Sequence, residues 1–451
     1  MEKRKIILII GGGFAGINVA KQLINHKGYD IILADRNNYN YFTPLSYQLA
    51  GGFLEVNDIS YPFRKFIRKY KNINFRQGEF RSVDVLKHTC TFDNGIIHYD
   101  LLIFAMGAST NYFGNENIRE QAVTVKSLSD ALAMRNHLLE SLEKASRITE
   151  RNERKKLLTV VVAGAGPTGV ETAGVLAELR KNILAKEYPE LEDIEAVIYL
   201  VDGTTSVLPQ MSERSRREAE NALKKLGVQI ILGDFIKDYR ESTLTFASGN
   251  RIETKNLIWA TGVTVHPIEG LAAVNTGKAG RILVDEFNRV KGVDNIFAIG
   301  DICTMNSDPS FPAGHPQLAQ PAIQQGKLLA KNLRRQYAGK SLIPFRYKDK
   351  GTLAIVGRNR AVADLFVSRK HIGGFPALLI WLFVHLAGLL TWRNRVKTLC
   401  NWIIAWLTRD QALRMIVTPA FSEEIQIIKT PGVPSATTKQ VEADLSLQVH
   451  E

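Results

Sequence analysis

The sequence predicts an α/β chain with two Rossmann-like dinucleotide-binding units followed by a membrane-associating α-helical segment. Three observations predict it. A strand–glycine turn–helix pattern occurs in KIILIIGGGFAGINVA, with Gly11, Gly13 and Gly16, and again in LTVVVAGAGPTGVETAG, with Gly164, Gly166 and Gly169. A second repeat follows each turn: Gly78–Gly107 and Gly233–Gly262 both run through short alternating strands, a TF–turn–Gly hairpin and a buried strand ending in Ala-x-Gly. The C-terminal third interleaves tryptophans with arginines and lysines.

In the first unit Lys5–Ile10 reads as a strand. The following helix carries Ile17, Ala20, Leu23 and Ile24 at helical spacing, and Asp30–Ala34 is a second apolar strand ending in Asp35. That acid falls about 20 residues beyond the turn, where a carboxylate accepts hydrogen bonds from a ribose. Glycines at the turn let the backbone approach a pyrophosphate at the helix N-terminus, whose unpaired N–H groups favour the anion. The second unit reads as a strand Leu158–Ala163, a turn and helix, and a strand Ala196–Val201 ending in Asp202. Two such units imply two dinucleotides. A flavin and a nicotinamide dinucleotide form the pair that exchanges hydride directly.

At 451 residues and 45% hydrophobic composition, the chain has room for two or three domains with their own cores. Cys90, Cys303 and Cys400 lie far apart and make no CxxC or CxxxxC pair, so neither a disulfide framework nor a dithiol redox centre is indicated, which suits a reducing, cytosol-facing compartment. MEKRKIILII reads as a first strand, because the glycine turn interrupts it where a signal peptide needs further apolar length; a transit peptide finds no room upstream. The net charge of +13 suits an acidic partner, and with no nucleic-acid motif present an anionic lipid surface and a nicotinamide nucleotide account for it. No metal-ligand pattern appears.

The stretch IFAIGD, Ile296–Asp301, resembles the two-dinucleotide-binding flavoprotein reductases, in which this GD holds the ribityl and pyrophosphate of FAD. The resemblance implies tightly bound, non-covalent FAD on the first unit and NADH on the second. AQPAIQQG, Ala319–Gly326, resembles the AQxAxQQG motif of the type II NADH dehydrogenases, single-subunit and non-pumping, in which this segment lines the quinone site beside the flavin. NNYNYFTPLSYQLAGG, GPTGVETAGVLAEL and YKDKGTLAIVGRNRAVAD are also family-like, and the likeness extends to about Val417. It implies FAD contacts from Gly11, Gly13, Phe14, Ala15, Gly16, Asp35, Arg36, Thr43, Pro44, Val83, Ala105, Gly107, Asp301 and Ala322, and NADH contacts from Gly164, Gly166, Pro167, Thr168, Gly169, Asp202 and Gly262. The sequence departs from the family at Asn40, often histidine, and at Ser46, often leucine, which puts local flavin or quinone packing in question.

Three residues are catalytic candidates: Glu171, Gln320 and Gln324. Thr168-Gly169-Val170-Glu171 reads as a capping box, and the resemblance also places Glu171 at the nicotinamide and quinone region as a proton relay. Pro321 suits the first position of a helix capped by Gln320, with the amides of Ala322 and Ile323 pointing outward and Gln320 and Gln324 free to bond a carbonyl.

FPALLIWLFVHLAGLLTW, Phe375–Trp392, is close to the length of a span, but His385, Gly388 and Pro376 weaken it. The next segment interleaves Trp402, Ile403 and Trp406 with Arg393, Arg395, Lys397 and Arg409, as in an interfacial helix. Monotopic attachment is the leading reading, with a buried core or dimer interface and a true span as alternatives. The expected organisation is a discontinuous FAD domain (1–117 and 290–345), an NADH domain (118–289), a membrane-attachment and dimerisation region (346–431) and a disordered tail (432–451). The implied function is NADH oxidation with two-electron reduction of menaquinone or ubiquinone, by a homodimer on the cytoplasmic face of the cell membrane. The alternatives are a soluble NADH-dependent reductase of a ferredoxin-like carrier and a non-catalytic redox sensor.

Overall fold

The computed structural model describes residues 4–194, 196–272, 275–365, 370–408 and 414–416. The tail expected to be disordered lies outside the described residues.

Two parallel sheets form the frame. In the first, strand Lys5–Ile10 lies between Tyr29–Asp35 and Leu101–Phe104; Ile73–Gln77 and Ile296–Ala298 take the two edges. The second repeats this order with Val160–Ala163 between Ile198–Asp202 and Asn256–Trp259, and Val228–Leu232 outermost. Val123 forms a parallel bridge to Ile258, so it stands where Ile296–Ala298 stands in the first sheet. Leu101–Phe104 and Asn256–Trp259 are buried along their whole length, which explains why LLIF and, after Asn256, LIW read as apolar runs rather than alternating ones. The second repeat folds as two three-stranded antiparallel sheets, Phe80–Asp84, Thr89–Phe92 and Gly95–His98 in one unit, and Ile236–Arg240, Thr243–Phe246 and Arg251–Glu253 in the other.

Helices α1 (Phe14–Leu23) and α2 (Pro167–Leu179) follow the two glycine turns. Leu158 does not begin the strand of the second unit: it ends a helix, Arg151–Leu158, whose N-terminus Glu150 caps by accepting from the N–H groups of Asn152 and Glu153. Helix α3 (Ala319–Tyr337) packs on α1, and Gly326 permits the crossing, since a Cβ there would lie 2.5 Å from the Ala15 carbonyl oxygen.

The C-terminal part begins with an antiparallel sheet of Gly351–Ile355, Ala361–Leu365 and Lys370–Gly373. Two helices follow, α4 (Gly374–Gly388) and α5 (Trp392–Thr408). Among the described residues no helix is long and apolar enough to cross a membrane. Helix α5 reverses ordinary amphipathicity. Its polar stripe faces the protein: the Asn394 amide donates to the carbonyls of Asn57, Asp58 and Ser60, and Asn401 donates to the Asp58 carboxylate. Its apolar stripe faces outward, with Trp392, Val396, Leu399, Ile403, Trp406 and Leu407 exposed and Phe375, Leu379, Phe383 and Val384 of α4 also exposed. On a globular surface helix these stripes are the other way round.

Candidate active site

Sterics hold each glycine turn closed. At Gly11 φ is +103° and a Cβ would lie 2.4 Å from the Ala105 carbonyl oxygen; at Gly16 it would lie 1.9 Å from the carbonyl of Gly11. Gly13 caps α1 with no side-chain partner, and nothing lies within 4 Å of where its Cβ would be. The end of α1 therefore presents unpaired N–H groups to open space, as a pyrophosphate requires. Asp35 accepts from the N–H groups of Gly12 at 2.7 Å and Asn37 at 2.8 Å, and burial still pushes its carboxyl above the ordinary value. Arg36 beside it is exposed.

The other first-lobe candidates lie around this turn. The Ala105 N–H donates to Ile10, and Gly107 takes a positive φ of +74°. Val83 is buried, and its N–H donates to the Glu269 carbonyl. Thr43 and Pro44 form a short 3-10 turn after Phe42, whose ring meets Phe14 edge-on at 5.5 Å. Both family departures have local roles. The Asn40 amide donates to the Gly12 carbonyl at 2.8 Å, bracing the glycine turn, and the Ser46 hydroxyl donates to the Thr43 carbonyl at 2.6 Å. Asp301 sits on a turn whose Gly300 packs between Ala15 and Ala322, so the GD motif meets the start of α1. Burial raises the Asp301 carboxyl, while Lys126 and Arg281 oppose that rise. These residues fit a flavin dinucleotide.

The second turn copies the first. A Cβ at Gly164 would lie 2.6 Å from the Ala260 carbonyl oxygen, and at Gly169 1.7 Å from the carbonyl of Gly164. Asp202 accepts from Ala165 at 2.6 Å and from Thr204 at 2.7 Å, matching Asp35 bond for bond. Pro167 and Thr168 are exposed at the start of α2, and Gly262 takes a φ of +65° as Gly107 does.

The capping box is overturned. Helix α2 is capped by Gly166 with Pro167 at its first position, so Glu171 lies inside the helix. Its buried carboxylate accepts from the Ile355 N–H and from the Trp381 indole N–H, both at 3.3 Å. Burial pushes its pKa up to about 8 against those two bonds, so at neutral pH it is chiefly the protonated acid. Tyr47 from the first lobe is close enough for Glu171 to help raise its phenol well above the ordinary value, after burial. Trp381 stacks on His385 at 3.8 Å and lies 5.6 Å from Trp402, which donates to Gln48 at 2.7 Å. Both lobes, the C-terminal sheet and α4 thus converge on Glu171.

The family model described as pyridine nucleotide-disulphide oxidoreductase matches residues 5–326, and that of the NDH2 C-terminal domain matches residues 350–410. A type II NADH:quinone oxidoreductase, Ndh of Mycobacterium tuberculosis, is 35% identical over 93% of this chain and 92% of its own. The chain belongs to the type II NADH:quinone oxidoreductases. It is therefore a flavin-dependent oxidoreductase, and the enzyme of that name from Staphylococcus aureus is 28% identical over 83% of this chain and 93% of its own. The NDH2 of Plasmodium falciparum, solved with NADH, shares the fold at a TM-score of 0.81 and 24% identity, covering 92% of this chain and all of that one.

In this type II oxidoreductase the helix start and the bonds of its glutamines differ from the sequence expectation. Helix α3 starts at Ala319, capped by Leu318, and Pro321 stands third. The Ala322 N–H is not outward but reaches the Leu318 carbonyl at 3.4 Å. Proline is tolerated there because the first turn leaves its N–H groups unpaired anyway. Gln320 donates to the Gly351 carbonyl and Gln324 to that of Lys348, and each accepts an N–H from the same segment. Both tie the approach to strand Gly351–Ile355, whose last residue holds Glu171. Gln325, which the sequence reading passed over, accepts from the Gly300 N–H at 2.7 Å and braces the flavin turn. Cys303 beside that turn is buried, its thiol pushed up to about 12, which suits packing rather than redox work. Trp381, Tyr47 and Lys126 were also missed: each meets its partner from a distant part of the chain, and nothing local marks them.

Proposed function

We propose that the protein is a membrane-associated flavoenzyme that oxidises NADH and passes two electrons to a membrane quinone, menaquinone or ubiquinone, without pumping protons. The observation that carries this reading is Glu171, a buried acid between the two nucleotide lobes and α4, whose other face is exposed and apolar. FAD, held by the Gly11–Gly16 turn, Asp35 and Asp301, supplies the two-electron exchange between nicotinamide and quinone when bound. The protein positions both partners and keeps water from Glu171, which carries the proton for a quinone oxygen. Gln320 and Gln324 act on the quinone side through the Lys348–Gly351 segment. The FAD domain comprises 1–117 and 290–345, the NADH domain 118–289 and the attachment region 346–431; the lipid surface is the cytoplasmic face, and the enzyme is a homodimer. Steady-state NADH oxidation with and without a soluble quinone tests the function. Quinone-dependent turnover is expected; turnover only with a ferredoxin-like protein, or none, overturns it.

The outward face of α4 and α5 should carry the attachment. Trp381 of α4 is fully buried against Glu171, so deleting the segment would damage the site as well. Point changes separate the two. Phe383→Glu/Leu399→Glu/Ile403→Glu should release the flavin-loaded enzyme from vesicles and cut turnover with long-tailed quinones at least about tenfold, with short-chain turnover kept. Unchanged co-sedimentation would count against the face.

NADH should be preferred to NADPH through Asp202, which would repel a 2′-phosphate at the ribose position. The loop after it carries no cation, but the Arg216 guanidinium donates to Ser206 at 3.2 Å and lessens that repulsion. A preference of roughly a hundredfold in kcat/KM is expected, and Asp202→Ser should narrow it by improving NADPH. Equal use of both nucleotides by the wild type would show that Asp202 does not face the ribose.

A further inference from the structure

Beside the end of α5 lies a pocket of about 440 Å³, lined by Glu178, Lys181, Asn182, Leu226, Arg358, Asn359, Trp406 and Leu407. Its lining has two characters. Lys181, Arg358 and the two asparagines supply cations and amide donors, whereas Trp406 and Leu407 are more than half exposed and continue the outward apolar face of α5. The cationic side is built rather than scattered. Arg358 lies at the tip of the hairpin between Gly351–Ile355 and Ala361–Leu365, with its guanidinium over the Trp406 ring at 5.8 Å. The Trp406 indole donates to the Asn359 side-chain oxygen at 3.3 Å, leaving the Asn359 amide to donate. Glu178, the acid in the lining, accepts from the Arg358 backbone N–H; burial raises its carboxyl, Arg358 and Lys181 oppose that rise, and the two cations still outnumber it. Lys181 is exposed and forms no ion pair among the described residues.

We propose that this pocket binds the phosphate of an anionic phospholipid whose acyl chains run along the apolar face of α5. The proposal rests on the membrane reading above. Charge complementarity selects a phosphate, and the apolar half of the lining selects one that carries hydrocarbon, since a free phosphate gains nothing from Trp406 and Leu407. A headgroup seated here fixes the far end of α5, about 25 Å from Trp392 at 1.5 Å per residue, and so sets the helix parallel to the lipid surface.

The test uses the flavin-loaded enzyme, native mass spectrometry from detergent, and vesicles of phosphatidylcholine with or without phosphatidylglycerol. The wild type should retain one phosphatidylglycerol, and glycerol phosphate should not displace it. Lys181→Gln/Arg358→Gln should retain none and should bind phosphatidylglycerol vesicles roughly 25-fold more weakly, about fivefold or 1 kcal/mol per cation. Its binding to pure phosphatidylcholine and its turnover with a short-chain quinone should hold, which shows it is folded. Lys181→Gln alone should give the intermediate loss. The charge-matched Arg393→Gln/Lys397→Gln should weaken vesicle binding yet keep the retained lipid. Equal retention by the pocket double variant, or vesicle binding by a wild type that retains no phosphatidylglycerol, overturns the proposal. Failure to bind either vesicle overturns the membrane reading itself.

Discussion

Gly16→Val is expected to yield a chain that no longer retains flavin, whereas Gly169→Val keeps flavin but cannot be reduced by NADH. Any side chain at either position must enter space already filled, with its Cβ 1.9 Å from the Gly11 carbonyl oxygen in one case and 1.7 Å from that of Gly164 in the other. Valine adds two methyl groups beyond that Cβ. Relief needs the turn to move away from its helix, which spoils the alignment of backbone N–H groups with a pyrophosphate. Because the lobes are separate cradles of the same design, the two losses should separate. Visible flavin absorbance of the purified proteins checks the first, and anaerobic mixing with NADH and then dithionite checks the second. Gly169→Val should bleach with dithionite alone. Flavin loss from Gly169→Val with retention in Gly16→Val would mean the nucleotides are assigned to the wrong lobes.

Glu171→Gln is expected to lower quinone-dependent turnover about a hundredfold, the scale of a lost general acid, while flavin reduction by NADH stays within a few fold. The carboxyl's pKa of about 8 comes from burial, so turnover of the wild type should fall as pH rises through that value and the acid form is lost. Glutamine keeps the acceptor for Ile355 and Trp381 but has no proton to lose, so its profile should lack that limb. Stability gives an independent reading of the same group. Its folded pKa is raised above the unfolded value near 4.5, so the folded state binds more protons between the two values. Stability should therefore decline from about pH 4.5 to about pH 8 in the wild type, and this component should be missing in Glu171→Gln. Thermal melts across that range, with flavin saturated, measure it. Equal loss in both half-reactions would make Glu171 a structural residue of α2.

What the sequence revealed was what the chain does locally. The glycine turns, Asp35, Asp202 and the repeated hairpins could be read because each is fixed by neighbours a few residues away, and the structure reproduces them in pairs. The start of α2 was also readable in principle. Pro167 at its first position names Gly166 as the cap, a signal that outweighs the Thr168–Glu171 spacing. The start of α3 was not, because Leu318 caps it without a side-chain bond and proline fits the third position as well as the first. Glu171 shows the larger limit. Its burial depends on Trp381, 210 residues onward, and on Ile355, 184 residues onward, contacts that no local pattern encodes. The apolar residues of α5 were evident, but only the anchoring of Asn394 and Asn401 on the first lobe shows which side faces out.

The most direct test of the central claim is a two-step anaerobic mixing experiment on the flavin-loaded protein. NADH should bleach the flavin stoichiometrically, and a quinone added next should restore its colour at least as fast as steady-state turnover. Contradiction would come from a flavin that NADH leaves oxidised, or from one that quinone cannot reoxidise while a ferredoxin-like protein can.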